Sequence, residues 1–109
     1  MAEEKAGNFA AAEKAMSKGI ALAPNHAEHR FFLGKLLQNQ KRFKEASSVY
    51  RQAAELRPFH ADTYFKLGEC LQSLGDIAGA GEAYGKAIRY NPDWNEARQK
   101  LASLTKTKS

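Results

Sequence analysis

A step of 34 residues runs through this chain and constrains its fold more than any other feature. Prolines stand at positions 24, 58 and 92, and apolar residues keep the same register. Residues of one type recur at this step at Ala12, Ala46 and Ala80, and at Leu33, Leu67 and Leu101. A fixed period of about 20 to 50 residues is typical of stacked copies of one supersecondary unit. The period therefore predicts a repeat protein.

Two helical stripes of apolar residues lie within each unit. Leu33, Leu36 and Leu37 form the first stripe of one unit, and a second stripe runs from Phe43 to Ala54. Spacings of three and four residues predict amphipathic helices, and the pair at 75–76, glycine then aspartate, predicts a helix end followed by a helix cap. The predicted class is all-α, with six helices near 8–22, 27–39, 43–56, 61–73, 77–90 and 95–106.

The units divide the chain into two full and two partial repeats, which we interpret as one domain over residues 1–109. The predicted boundaries are a partial repeat 1–26, full repeats 27–60 and 61–94, and a capping helix 95–106. Gly7-Asn8-Phe9 aligns with Gly75-Asp76-Ile77, so a helix break is expected just before residue 8. An incomplete first repeat leaves apolar side chains of the 8–22 helix without their usual cover, which suggests self-association through that helix.

Gly34 and Gly68 recur in the middle of first helices, where glycine costs about 1 kcal/mol relative to alanine. The recurrence indicates a close approach of two helices at this point. We expect the second helix to present small residues there, Ala46 and Ala53 in one unit, with Tyr50 closing the flank.

The unit at 61–94 resembles a tetratricopeptide repeat. Its matches to the family pattern are Tyr64, Leu67, Gly68, Leu71, Gly75, Asp76, Ala80, Tyr84, Ala87 and Pro92. The unit at 27–60 follows the pattern but departs from it at Arg30, where an aromatic is usual, and at Lys41, where glycine is usual. The resemblance implies an α-solenoid of antiparallel helix pairs in a right-handed superhelix. It also implies a concave groove, lined by first helices, that binds peptides or helices of other proteins.

Helical geometry points one face of each first helix away from its partner helix. The predicted partner-binding residues on this face are Phe31, Phe32, Lys35, Gln38 and Asn39 of one repeat, Phe65, Lys66, Glu69 and Gln72 of the next, and Lys100 of the last helix. Aromatic anchors in a polar surround are typical of a binding surface. The alternative for Phe31 and Phe65 is packing against neighbouring helices. Phe32 has no aromatic counterpart at Lys66 and is therefore the stronger contact candidate.

A clamp for a peptide's terminal carboxylate, which some family members build from Lys, Asn and Arg, finds little support here. Lys35, Lys66 and Lys100 can line one groove, but the asparagine of the clamp is missing. Asp62 and Glu96 also stand where that clamp requires positive or neutral residues.

No catalytic, metal or cofactor site is predicted. The glycines at 79, 81 and 85 lack the spacing and the preceding strand of a dinucleotide-binding loop. His26 and His60 are repeat-related turn residues, which we expect to be solvated rather than to bind zinc. Cys70 falls on an inward stripe and is predicted to be a small buried hydrophobe. Trp94 is expected to pack under the last helix.

The leading hypothesis is a non-catalytic interaction module, without a cofactor, that binds a segment of a partner protein. The alternative is a regulatory or substrate-recruiting segment of a larger enzyme, which the incomplete first repeat suggests. A net charge of +5 allows a third hypothesis, nucleic-acid binding through the C-terminal lysines and through Lys41, Arg42, Lys44 and Arg51, but scattered acidic residues count against it. A single cysteine, no apolar span and no signal-peptide pattern predict a cytoplasmic protein that does not insert into membranes.

Overall fold

The computed structural model describes residues 2–23 and 26–106, and every regular element in these ranges is an α-helix. The helices are α1 (Ala2–Leu22), α2 (Ala27–Asn39), α3 (Phe43–Leu56), α4 (Ala61–Ser73), α5 (Ile77–Tyr90) and α6 (Asn95–Lys106). The all-α class is confirmed, and α2 to α6 begin and end at the predicted residues. The remaining helix, α1, is longer than predicted.

The predicted break before residue 8 is wrong, because α1 runs without interruption from Ala2 through Gly7 and Asn8. Glycine permits a turn but does not impose one, and the preceding Ala-Glu-Glu-Lys-Ala segment consists of good helix formers. Two residues on which the register of the partial repeat was based are Phe9 and Pro24. The side chain of Phe9 and the whole of Pro24 lie outside the described residues.

Short turns between the helices produce antiparallel pairs that stack side by side. The main contacts join α2 to α3 and α4 to α5, while α3 against α4 connects one pair to the next. Gly75 ends the α4 segment with φ of +84°, a value that favours glycine. Asp76 then caps α5 by accepting a hydrogen bond from the Gly79 backbone N–H at 2.9 Å. Both predicted roles are confirmed.

The two recurrent helical glycines make room for tyrosine rings. A methyl group on Gly34 would lie 2.6 Å from the Tyr50 ring, and one on Gly68 would lie 2.7 Å from the Tyr84 ring. Both tyrosines are fully buried between the two helices of their pair. The close approach was predicted, but the atoms nearest to each added methyl group belong to tyrosine and not to alanine. Each tyrosine lies over its glycine instead of closing the flank.

One continuous core runs through the stack. Cys70 lies inside it, fully buried, as predicted for a small hydrophobe. Burial, reinforced by the nearby negative charge of Glu69, raises the pKa of its thiol to about 12. A thiol in such surroundings stays protonated at neutral pH and is a poor nucleophile. None of the helices in the described ranges is long and apolar enough to cross a membrane.

Candidate functional site

The first helices α2, α4 and α6 present one shared face, because side chains from all three meet on it. Glu69 of α4 is hydrogen bonded to Gln38 of α2 and ion paired with Lys100 of α6. We call this surface the groove face. Its members are Phe31, Phe32, Lys35, Gln38 and Asn39 of α2, Lys66, Glu69 and Gln72 of α4, and Lys100 of α6.

A carboxylate lies at the centre of the groove face. Gln38 Nε2 donates to Glu69 Oε1 at 3.1 Å, and Lys66 Nζ lies 3.6 Å from the same oxygen. Lys100 Nζ lies 3.9 Å from Glu69 Oε2. Donors from three helices therefore surround a side chain that is still 23% exposed. The lysines predicted to contact a partner are partly neutralised by this carboxylate.

Buried tyrosines hold the two glutamines of the groove face. The Tyr50 hydroxyl donates to Gln38 Oε1 at 2.8 Å, and the Tyr84 hydroxyl donates to Gln72 Oε1 at 2.9 Å. Burial raises the pKa of both hydroxyls above the ordinary value, so both remain protonated donors at neutral pH. The amide groups are thereby fixed in orientation from beneath, which lowers the entropy that binding would cost.

An aromatic and cationic cluster occupies the α2 end of the groove face. Phe32 is 46% exposed and meets Phe31 edge to face, with ring centroids 6.0 Å apart. Lys35 Nζ lies 5.7 Å from the Phe31 ring centroid and 5.5 Å from that of Phe32, within the range of cation–π attraction. Phe31 is half-buried against Tyr50 and His60. Phe32 is therefore the ring of this pair that a partner can reach most easily.

Phe65 is not part of the accessible surface. It is only 3% exposed, and its ring stacks on Trp94 with centroids 4.5 Å apart and an interplanar angle of 23°. Its other ring contact is Tyr84, at 5.6 Å. The packing alternative is thus correct for Phe65, and its assignment as a contact residue is withdrawn. The same stacking confirms that Trp94 packs where α6 begins.

Two further predicted contact residues lie near the carboxyl ends of α2 and α4. Asn39 is exposed at the end of α2, and Gln72 lies on the same face of α4, under its hydrogen bond from Tyr84. His26 is exposed, as expected, whereas His60 is half-buried beside Phe31. The described residues contain no cluster of His, Cys, Asp and Glu with the geometry of a metal site.

Sequence reasoning missed an open cleft of about 460 Å³ between α3 and α5, with α4 as its floor. It shares no residue with the groove face. Its lining residues are Arg51, Ala54, Glu55, Pro58, Tyr64, Leu67, Leu71, Gly79, Glu82, Ala83 and Lys86. The alignment of the repeats did contain a signal for this cleft. Ala54, Gly79 and Ala83 stand where the preceding unit has larger side chains, at Ile20, Glu45 and Val49.

Comparison with known proteins points to one family. A family model described as tetratricopeptide repeat matches residues 1–60 and again 33–93. No curated protein matches the chain. Among solved structures, the crystal structure of MamA superposes with a TM-score of 0.86 at 28% identity, over 88% of this chain and 56% of MamA. The chain thus spans about half the length of MamA.

Two further structural neighbours were solved with peptides. The first tetratricopeptide repeat domain of Spaghetti (RPAP3), bound to the HSP90 peptide SRMEEVD, superposes with a TM-score of 0.89 at 20% identity. The match covers 94% of this chain and 82% of the Spaghetti chain. The Yersinia enterocolitica type III secretion chaperone SycD, in complex with a peptide of the translocator YopD, gives 0.89 at 18% identity, over 98% and 87%. At these identities the likeness shows the shared fold.

Proposed function

Since the chain belongs to the tetratricopeptide repeat family, we propose that it is a non-catalytic interaction module whose groove face binds a segment of a partner protein. The observation that carries the proposal is Phe32, an aromatic ring 46% exposed on that face, with a lysine ammonium against it. Exposed aromatic rings in a polar surround are among the residues that most often dominate binding energy. Peptides occupy two neighbours of the same fold, Spaghetti and SycD.

The contact residues would divide the work of binding. Phe32 would bury its ring against an apolar side chain of the partner, and Lys35 would attract a nearby acidic group. Gln38 and Gln72 would orient the partner's backbone by hydrogen bonds, because tyrosines fix their amides in place. An extended segment or one face of a helix fits this arrangement of a short apolar patch beside ordered polar groups.

Peptides selected from a random displayed library against the chain provide the test. We expect Phe32→Ala to weaken the binding of the selected peptides about tenfold or more, as truncation of an aromatic anchor does. Titration calorimetry measures the affinity, and circular dichroism shows that the helices persist.

Phe59→Ala is the matched control, because Phe59 is 74% exposed in the turn after α3 and its ring contacts Tyr90, which is not a member of the groove face. Its replacement should leave affinity unchanged. Equal binding by the Phe32→Ala variant and the original chain would contradict the proposal, as would a loss confined to Phe59→Ala.

Nucleic-acid binding has weaker support. Arg42, the centre of the proposed basic cluster, bonds to Glu13 at 2.8 Å and to Glu45 at 2.5 Å. Its charge is therefore balanced within the protein, which lowers its attraction for phosphate. Self-association through α1 and a role as a recruiting segment of a larger enzyme stay predictions, and both are compatible with a peptide-binding groove. The cytoplasmic location likewise stays a prediction.

A further inference from the structure

Glu69 is an acidic side chain that lies among the lysines of the groove face. One repeat earlier the same position holds Lys35, and one repeat later it holds Ser103. The basic residues nearest to it are Lys66 on its own helix and Lys100 on α6. Two ammonium groups, one from α4 and one from α6, therefore lie close to the Glu69 carboxylate.

The surroundings of Glu69 have the composition of a carboxylate-binding site. An amide N–H of Gln38 at 3.1 Å and two ammonium groups at 3.6 and 3.9 Å surround its two oxygens. These are the donors that proteins use to hold a carboxylate of a ligand. Here the protein's own side chain already occupies the position.

We propose that Glu69 is a specificity-determining residue that excludes acidic groups of a partner from the α4–α6 part of the groove. The proposal rests on the proposed function, because it concerns which segments the same groove accepts. An incoming carboxylate meets the charge of Glu69 and must compete with it for Lys66 and Lys100. Specificity of this kind comes from repulsion of the wrong partner as much as from attraction of the right one.

The proposal defines the chemistry of the partner segment. Its residues opposite α4 and α6 are neutral, either polar or apolar. An acidic residue is accepted only towards α2, where Lys35 lies against the rings of Phe31 and Phe32. The partner therefore has a charge polarity along its length.

Binding of the acidic peptide SRMEEVD and of its neutral analogue SRMQQVN-amide tests the proposal. Glu69→Gln keeps the size of the side chain and its capacity to accept from Gln38, but it releases both lysines. We expect this variant to bind SRMEEVD at least tenfold more tightly than the original chain does. The gain should disappear at high salt, which screens charges, and should be absent for SRMQQVN-amide.

Glu82→Gln is the matched control, because Glu82 pairs with Lys86 at 4.0 Å on α5 and lines the cleft instead of the groove face. It makes the same change in net charge. Glu69→Ser, which copies the residue one repeat later, serves as a second variant if Glu69→Gln fails to fold. Equal affinity of the original chain and the Glu69 variants for SRMEEVD, including no binding by any of them, overturns the proposal. An equal gain in Glu82→Gln also overturns it.

The outcome is separable from that of the proposed function. If Phe32→Ala weakens the binding of library-selected peptides while Glu69→Gln does not strengthen the binding of SRMEEVD, only the role of Glu69 is refuted. A gain on Glu69→Gln without any effect of Phe32→Ala supports the role of Glu69 and refutes Phe32 as the anchor of partner binding.

Discussion

Two glycines and two tyrosines set how closely the helices of each pair approach. The Tyr50 ring lies where a side chain on Gly34 would have to be, and the Tyr84 ring stands in the same relation to Gly68. The unfavourable helix propensity of each glycine is thus offset by the burial of an aromatic ring. The hydroxyl groups of the same tyrosines donate hydrogen bonds to the two glutamines of the groove face. Packing inside each pair therefore also orders the surface.

Gly34→Ala is expected to destabilise the fold by about 1 to 3 kcal/mol, the usual cost of overpacking a core. The added methyl group would lie 2.6 Å from a buried ring that cannot move away. Gly85→Ala is the control, because it lies in α5 with no atom within 4 Å of the added methyl. Helix propensity alone should stabilise that variant by about 1 kcal/mol. Urea unfolding followed by circular dichroism measures both, and stabilisation by both would refute the steric explanation.

Lys41 shows where local sequence and backbone disagree. It aligns with Gly75, and both residues adopt positive φ, +62° for the lysine and +84° for the glycine. The departure from glycine at this position was visible in the sequence, yet the turn keeps its shape. The stacking of the 34-residue repeats therefore overrides the backbone preference of Lys41, since a left-handed backbone costs a non-glycine residue only about 1 to 2 kcal/mol.

At the scale of the element, the half-buried His60 immediately precedes α4. His60 Nδ1 lies 2.7 Å from Thr63 Oγ1, and the ring packs edge to face on Phe31 with centroids 5.3 Å apart. Burial, together with the nearby positive charge of Arg57, lowers the pKa of His60 below the ordinary value of 6.5. The junction of α3 and α4 is thus sensitive to protonation.

Acid is expected to destabilise the protein through His60. Because the folded pKa lies below the unfolded value, the unfolded chain binds the proton first. The stability that the neutral form of His60 contributes to the folded state is fully present above pH 6.5. It is lost as the pH falls from 6.5 to the folded pKa. The melting temperature should therefore fall more between pH 7.5 and pH 5 in the original chain than in His60→Gln. His26 and His29 are present in both proteins, so parallel curves would contradict the prediction.

At the scale of the whole molecule, the repeats are not equally well filled. The cleft of about 460 Å³ between α3 and α5 exists because small residues line it where the preceding unit has larger ones. Ala54 lies half-buried at its wall, whereas its neighbour Ala53 is fully buried. The same substitution at these two adjacent positions therefore has opposite expected effects.

Ala54→Ile, which copies Ile20 of the preceding unit, should stabilise the fold by about 1 kcal/mol, because the new methyl groups are buried against the apolar lining of the cleft. Ala53→Ile should destabilise it by about 1 to 3 kcal/mol, since no space is available there. Thermal and urea unfolding measure the two changes. Destabilisation by Ala54→Ile would show that the cleft does not accept side chains from its own wall.

The all-α class, five helix bounds, the Gly75 turn and the Asp76 cap could be predicted from the sequence alone, because each depends on local spacing and local backbone preference. The break at Gly7 failed for the same reason, since local signals permit a turn without requiring one. Tertiary structure decided that Phe65 is buried while Phe32 is exposed, that tyrosines lie over the glycines, and that Glu69 joins three helices. These outcomes depend on which side chains meet between different helices, and a repeat period fixes the order of those helices but not the contacts between their side chains.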